Sequence, residues 1–152
     1  RVYADTSVFG GVFDEEFEAP TRLFFDQARS GRFQLVTSAL VEAEIELAPA
    51  QVRDFFNTLL EFAEVVGISE GTLRLQRAYL EARILSEQWV GDALHVALAT
   101  SSGCAVAVSW NFKHLVHYQK IQLYNEVNRA NGYPELAIHS PREVIVYEDE
   151  NI

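Results

Sequence analysis

Five short apolar runs recur along this chain, and a helical stretch separates each from the next. The runs are residues 2–4, 33–37, 64–66, 105–108 and 136–138. Strands joined by helices need crossover connections, and crossovers build a parallel sheet. The run at 105–108 is continuous and apolar, as a strand covered on both faces must be. Between the runs, apolar residues fall at helical spacing. After Pro49, Val52, Phe55, Phe56, Leu59, Leu60 and Ala63 share one face. A helix over 20–29 is expected to turn Leu23, Phe24 and Ala28 inward and to stop at Ser30-Gly31. Ser38 should cap a helix running to residue 47. Further helices are read over 73–85, 91–100 and 118–130. Ser140-Pro141-Arg142-Glu143 has the cap, first-turn proline and acid of a short helix start. Gly10-Gly11 and Asp14-Glu15-Glu16 read as a loop.

No repeat or Pro/Gly/Ser-rich linker divides the 152 residues, so the expectation is one domain over 1–147 with a fraying tail at 148–152. At 49% hydrophobic and 22% charged, the chain has the composition of a folded protein rather than a disordered one. No apolar run approaches the ~20 residues that span a bilayer, and residues 1–5 have no signal-peptide character. The single cysteine, Cys104, cannot form an internal disulfide, which suits a reducing cytoplasm. The formal charge of −10 repels nucleic acid at long range. Such a charge fits an RNA substrate only where a cation screens the carboxylates, and it also suits a basic protein partner.

Ligands of open parallel sheets bind beyond the carboxyl ends of the strands. Asp5 follows the first run, and Asn111 follows the fourth, after Ser109-Trp110. Glu44 lies in the helix after the second, and Asp92 opens the helix before the fourth. Three carboxylates with an amide suit a hard cation such as Mg²⁺ or Mn²⁺. Such an ion relieves their mutual repulsion, polarises a phosphodiester and activates water. Plainer readings compete. Asp5 and Asp92 are also good helix-start acids, and Glu42, Glu44 and Glu46 together read as a solvated helix face. His95 reads as a satisfied core histidine. His114 and His117 lack the cysteine or third histidine of a zinc site. Lys113 and Lys120 meet either phosphates or water. For Trp89 and Trp110, packing is the default over base stacking. No phosphate-binding glycine motif is present.

In order, the segments Val2-Tyr3-Ala4-Asp5-Thr6-Ser7-Val8, Thr37-Ser38 with Glu44 six residues on, Asp92-Ala93-Leu94-His95-Val96-Ala97-Leu98-Ala99, and Val108-Ser109-Trp110-Asn111-Phe112 resemble PIN domains. Among these the likeness is to the VapC-like toxin ribonucleases, over nearly the whole chain. The resemblance implies a three-layer α/β/α sandwich around a mostly parallel five-stranded sheet. It implies an endoribonuclease that needs Mg²⁺ or Mn²⁺, with Asp5, Glu44 and Asp92 as the metal-binding acids. The spacing from Ser38 selects Glu44 over its two neighbours. Thr6, Ser7, Ser38 and Ser109 become polar supports. An antitoxin protein and a homodimeric state are further implications. One position departs from the family, which usually has a fourth acid where this chain has Asn111. The amide adds no charge and predicts a weaker second ion or slower turnover. Two rival functions follow: a PIN-fold regulatory or RNA-binding module without turnover, and a DNA nuclease of the flap type, for whose gripping elements the chain leaves little room.

Overall fold

A computed structural model describes residues 1–147; the expected tail at 148–152 lies outside the described residues. Five strands, β1 (Val2–Ala4), β2 (Leu35–Ser38), β3 (Glu64–Val66), β4 (Val106–Val108) and β5 (Ala137–His139), form one sheet in the order β3-β2-β1-β4-β5. All four pairings are parallel, with Val2 opposite both Leu35 and Val106, and Val108 opposite His139. From β1 the chain passes to β2 on one side, and from β4 to β5 on the other. The switch point between β1 and β4 leaves a crevice at their carboxyl ends.

Among the described residues, seven α-helices lie between strands, α1 (Thr6–Gly11), α2 (Glu18–Arg29), α3 (Ala39–Glu46), α4 (Ala50–Leu59), α5 (Glu70–Glu81), α6 (Val90–Ser101) and α7 (Tyr118–Ala130), and an eighth, α8 (Pro141–Val144), follows β5. Helices α1, α2, α3, α4 and α8 pack among themselves, as do α5, α6 and α7. The result is the three-layer α/β/α sandwich. In the first group, Phe9 meets Phe25 and Phe56, with ring centroids 5.1 and 5.0 Å away. In the second, Tyr79 and Tyr124 meet edge to face at 5.1 Å, and the Tyr79 hydroxyl donates to the buried Asn128. Both layers are apolar toward the sheet, so β1, β2 and β4 are buried almost throughout. Among the described residues no helix is long and apolar enough to cross a membrane.

Most boundaries agree with the sequence to within a few residues, and the exceptions have local causes. Gly10 and Gly11 are not loop but the last turn of α1. There Gly11 lies against the Trp110 indole, and a Cβ would sit 2.7 Å from Trp110 Nε1 and 3.0 Å from Thr21 Oγ1. Glycine is chosen for close approach rather than for a turn. Gly11→Ala should therefore lower stability by about 1–3 kcal/mol through overpacking, read as a fall in Tm; an unchanged Tm would mean the indole yields freely. Leu23 is 38% exposed, and Phe25 takes the inward place beside Phe24 and Ala28. Helix α5 starts at Glu70, behind a Ser69 cap, and ends at Glu81 rather than 85. Arg83 then takes a left-handed φ of 61°, which no helix continues. At Gly31 and Gly132 the expected stops have φ of +87° and +81°.

Candidate active site at the carboxyl edge of the sheet

Asp5 leaves β1 in extended conformation and occupies the N-cap position of α1, yet its side chain caps nothing. Instead the carboxylate is buried (4% exposed) at the switch point and held by two serines. Ser7 Oγ donates to Oδ1 at 2.6 Å, and Ser109 Oγ donates to Oδ2 at 2.5 Å. Each serine accepts a backbone N–H in turn, from Trp110 and Asn111 respectively, both at 2.9 Å. The β4 exit thus aims two polarised hydroxyls at one carboxylate. Burial pushes the Asp5 carboxyl above the usual carboxylate range, against the opposing charge of His95 and the serine hydrogen bonds.

Glu44 approaches from α3. Ser38 caps that helix through Val41 N–H, which fixes the helix start and brings the sixth residue on toward α1. Thr6 Oγ1 donates to Glu44 Oε1 at 2.5 Å, and His95 Nε2 donates to the same oxygen at 2.8 Å. Partial burial pushes the Glu44 carboxyl up; the hydrogen bonds from His95 and Thr6, with the His95 charge, outweigh it and hold it below its ordinary value. Glu42 and Glu46 are exposed, whereas Glu44 is half-buried against Thr6 and His95.

His95 is the junction. Its Nδ1 lies 2.8 Å from the Tyr3 hydroxyl, which lies 2.9 Å from Ser38 Oγ. Burial raises the Tyr3 phenol well above its ordinary value, so the phenol keeps its proton. With a neutral His95, donation runs Ser38 to Tyr3 to His95 to Glu44; a protonated ring still donates to Glu44 and turns the other two bonds toward Ser38. Ser38 therefore supports Glu44 through two intermediaries rather than touching an acid.

Asp92 sits in the first turn of α6, three residues before His95 and on the same face. His114 Nδ1 donates to its Oδ2 at 2.7 Å. The His114 ring is buried against Trp89, 4.5 Å between centroids, and the Tyr124 hydroxyl holds its carbonyl at 2.9 Å. Asn111 does not offer its carbonyl oxygen to the acids. Oδ1 accepts the backbone N–H groups of Lys113 and His114, at 3.2 and 2.9 Å. That cap shapes the turn that delivers His114 to Asp92.

Carboxylate and amide oxygens are the donors a hard divalent cation takes. Hydrogen bonds reach both oxygens of Asp5 but only Oε1 of Glu44 and Oδ2 of Asp92 among the described residues. The acids line one edge, but each is tied to its own serine, threonine or histidine. Among the described residues, no group of three or more His, Cys, Asp or Glu side chains stands close enough together to hold a metal ion. The donor chemistry therefore suits the ion, while a closed ligand shell is not formed.

Beside Thr6, Ser7 and Ser109, three residues the sequence did not single out as site groups take part: His95 holds Glu44, His114 holds Asp92, and Tyr3 holds His95. The signal for His95 was its place one helical turn beyond Asp92. His117 caps α7 through Lys120 N–H, 3.4 Å away, and takes no part. Trp110 is packing, stacked on Phe17 at 4.1 Å with its Nε1 donating to Thr21.

No family model and no curated protein matches the sequence, but solved structures match the fold. VapBC2 from Rickettsia felis, bound to a DNA fragment from the promoter, matches with a TM-score of 0.60 at 16% identity, over 92% of this chain and 98% of that one. VapC20 of Mycobacterium tuberculosis, a sarcin-ricin loop cleaving toxin, matches at 0.57 and 13%, over 90% and 99%. FitAcB from Neisseria gonorrhoeae matches at 0.59 and 12%, over 93% and 98%. The chain has the PIN-domain fold. At these identities the likeness is one of fold. Within the PIN fold, the edge bearing Asp5, Glu44 and Asp92 is the switch-point edge where ligands of open α/β sheets bind.

Proposed function

We propose that this PIN-fold chain is an endoribonuclease that hydrolyses phosphodiester bonds with a Mg²⁺ or Mn²⁺ ion held by Asp5, Glu44 and Asp92. The observation that carries this reading is the Asp5 carboxylate, buried at the switch point and gripped by two serines although burial disfavours its charge. A fold maintains such an anion at a cost, and a bound cation is the ordinary compensation. When bound, the ion would supply Lewis acidity at the phosphate and an activated water. Ser7 and Ser109 keep the Asp5 oxygens in one orientation, and Thr6 and His95 do so for Glu44. His114 does so for Asp92. The low pKa of Glu44 keeps it ionised, ready to bind an ion or to take a proton from water.

A single-stranded RNA panel incubated with Mn²⁺ or with EDTA is the test. Chelator-sensitive cleavage is expected. RNA binding without cleavage in Mn²⁺ would favour the rival, a PIN-fold module that has lost turnover, which the capping role of Asn111 also favours. Asn111→Asp separates the two further. Aspartate can cap the same turn and adds a negative charge at the edge, so cleavage at limiting Mn²⁺ should rise; a fall would show that the amide itself is needed.

The VapBC2 and FitAcB matches support a toxin–antitoxin pairing. The partner we envisage is a basic segment laid over the acidic edge, an Arg or Lys meeting the carboxylates. A second copy of the chain is the other proposed partner.

A further inference from the structure

The net charge of −10 leaves open how a polyanion could approach. Several cations are neutralised: Arg1 pairs with Glu64, Arg22 with Glu18 and Arg129 with Glu135. Lys113, in the turn between β4 and α7, and Arg142, in α8, differ. Lys113 Nζ lies 5.5 Å from the centre of the Trp89 ring, and Arg142 lies 5.6 Å from that of Trp110. Neither makes an ion pair among the described residues; Arg142 donates only to the Glu16 carbonyl, at 3.4 Å. Next to Lys113 in the turn is Phe112, 49% exposed, with one side toward Trp110 at 6.1 Å. The next residue but one, His114, holds Asp92.

An exposed ring next to Lys113, and against the Trp110 indole that carries Arg142, matches a chain of phosphates bearing unpaired bases. We infer that the turn at Phe112 and Lys113 is the docking point of single-stranded RNA, a base stacking on Phe112 and an adjacent phosphate meeting Lys113. This rests on the ribonuclease reading and adds to it where the strand lies. A protein chain could cover the same apolar ring, but it has no need of cations on ring faces next to the turn that holds Asp92. A duplex would bury its bases away from Phe112.

The test is fluorescence anisotropy of a labelled mixed-sequence single-stranded RNA against the full chain carrying Asp5→Asn, which keeps the RNA intact. Adding Phe112→Ala should weaken binding about tenfold and leave the salt dependence unchanged. Adding Lys113→Gln should weaken binding and reduce the slope of log K against log salt by about 0.7, one phosphate contact to a single strand. A duplex of the same sequence should bind weakly and ignore Phe112→Ala. Unchanged RNA affinity in both added variants overturns the docking point while wild-type RNA cleavage, measured in parallel, keeps the ribonuclease reading. Absence of both binding and cleavage overturns the two together. Loss of a bound protein partner on Phe112→Ala, with RNA affinity intact, assigns the ring to protein docking and overturns the proposal.

Discussion

Asp5→Asn is expected to lower Mn²⁺-dependent RNA cleavage by at least about 100-fold, because losing even the outer partners of a metal ligand typically costs 10–100-fold. The same substitution should raise the Tm of the metal-free protein by a few degrees. Both effects come from one fact. The carboxyl is buried and its pKa is raised, so its charge is a burden on the fold. A group with a raised folded-state pKa favours folding below its unfolded value and loses that contribution as pH rises through the folded value. Asp5 therefore destabilises the fold at neutral pH. An isosteric amide removes the charge, and the Ser7 and Ser109 hydroxyls can rotate to suit it. The Tm difference between variant and wild type should be largest near neutrality and close as acid protonates the wild-type carboxyl. Thermal melts across pH, beside a cleavage assay, measure both. A variant that still cleaves, or that melts lower at every pH, would place Asp5 among structural groups instead.

His95→Ala should cost about 3 kcal/mol. The ring is buried, so truncation leaves a cavity and strips the Tyr3 hydroxyl of its acceptor. In a chain of this size that is a Tm loss on the order of 10 °C. Glu44 should respond separately. Its carboxyl is held low by His95 and Thr6 against burial. A group with a depressed pKa contributes stability above its unfolded value and loses it as pH falls through the folded one. Without His95, burial is opposed by Thr6 alone, and the Glu44 pKa should move upward in an NMR titration of its side chain. A Tm within a degree or two of wild type together with an unmoved Glu44 titration would show that the histidine is a bystander.

The element order was legible because strand and helix periods differ and because Gly31, Gly132, Ser38 and the Ser140 capping box punctuate the chain. Glu44 was singled out from Glu42 and Glu46 only by the resemblance to PIN domains; on the residues alone the three read as one solvated helix face. Gly11 was not: glycine signals turns from sequence, and only the Trp110 indole beside it shows a close approach. His95 and His114 were read as bland for a similar reason. A histidine in an apolar helix looks the same whether its partner is a carbonyl or Glu44, and that partner comes from a segment 51 residues away.

The chain itself determined which residues end the strands, and hence which acids stand at the carboxyl edge, since hydrophobic period and capping are local properties. How those acids are held was decided by the tertiary structure alone. Packing α6 and the β4 exit against β1 gave each carboxylate its own hydroxyl or imidazole partner and turned Asn111 into a cap. A hydrogen bond depends on tenths of an ångström between residues distant in sequence, and no spacing along a chain encodes that.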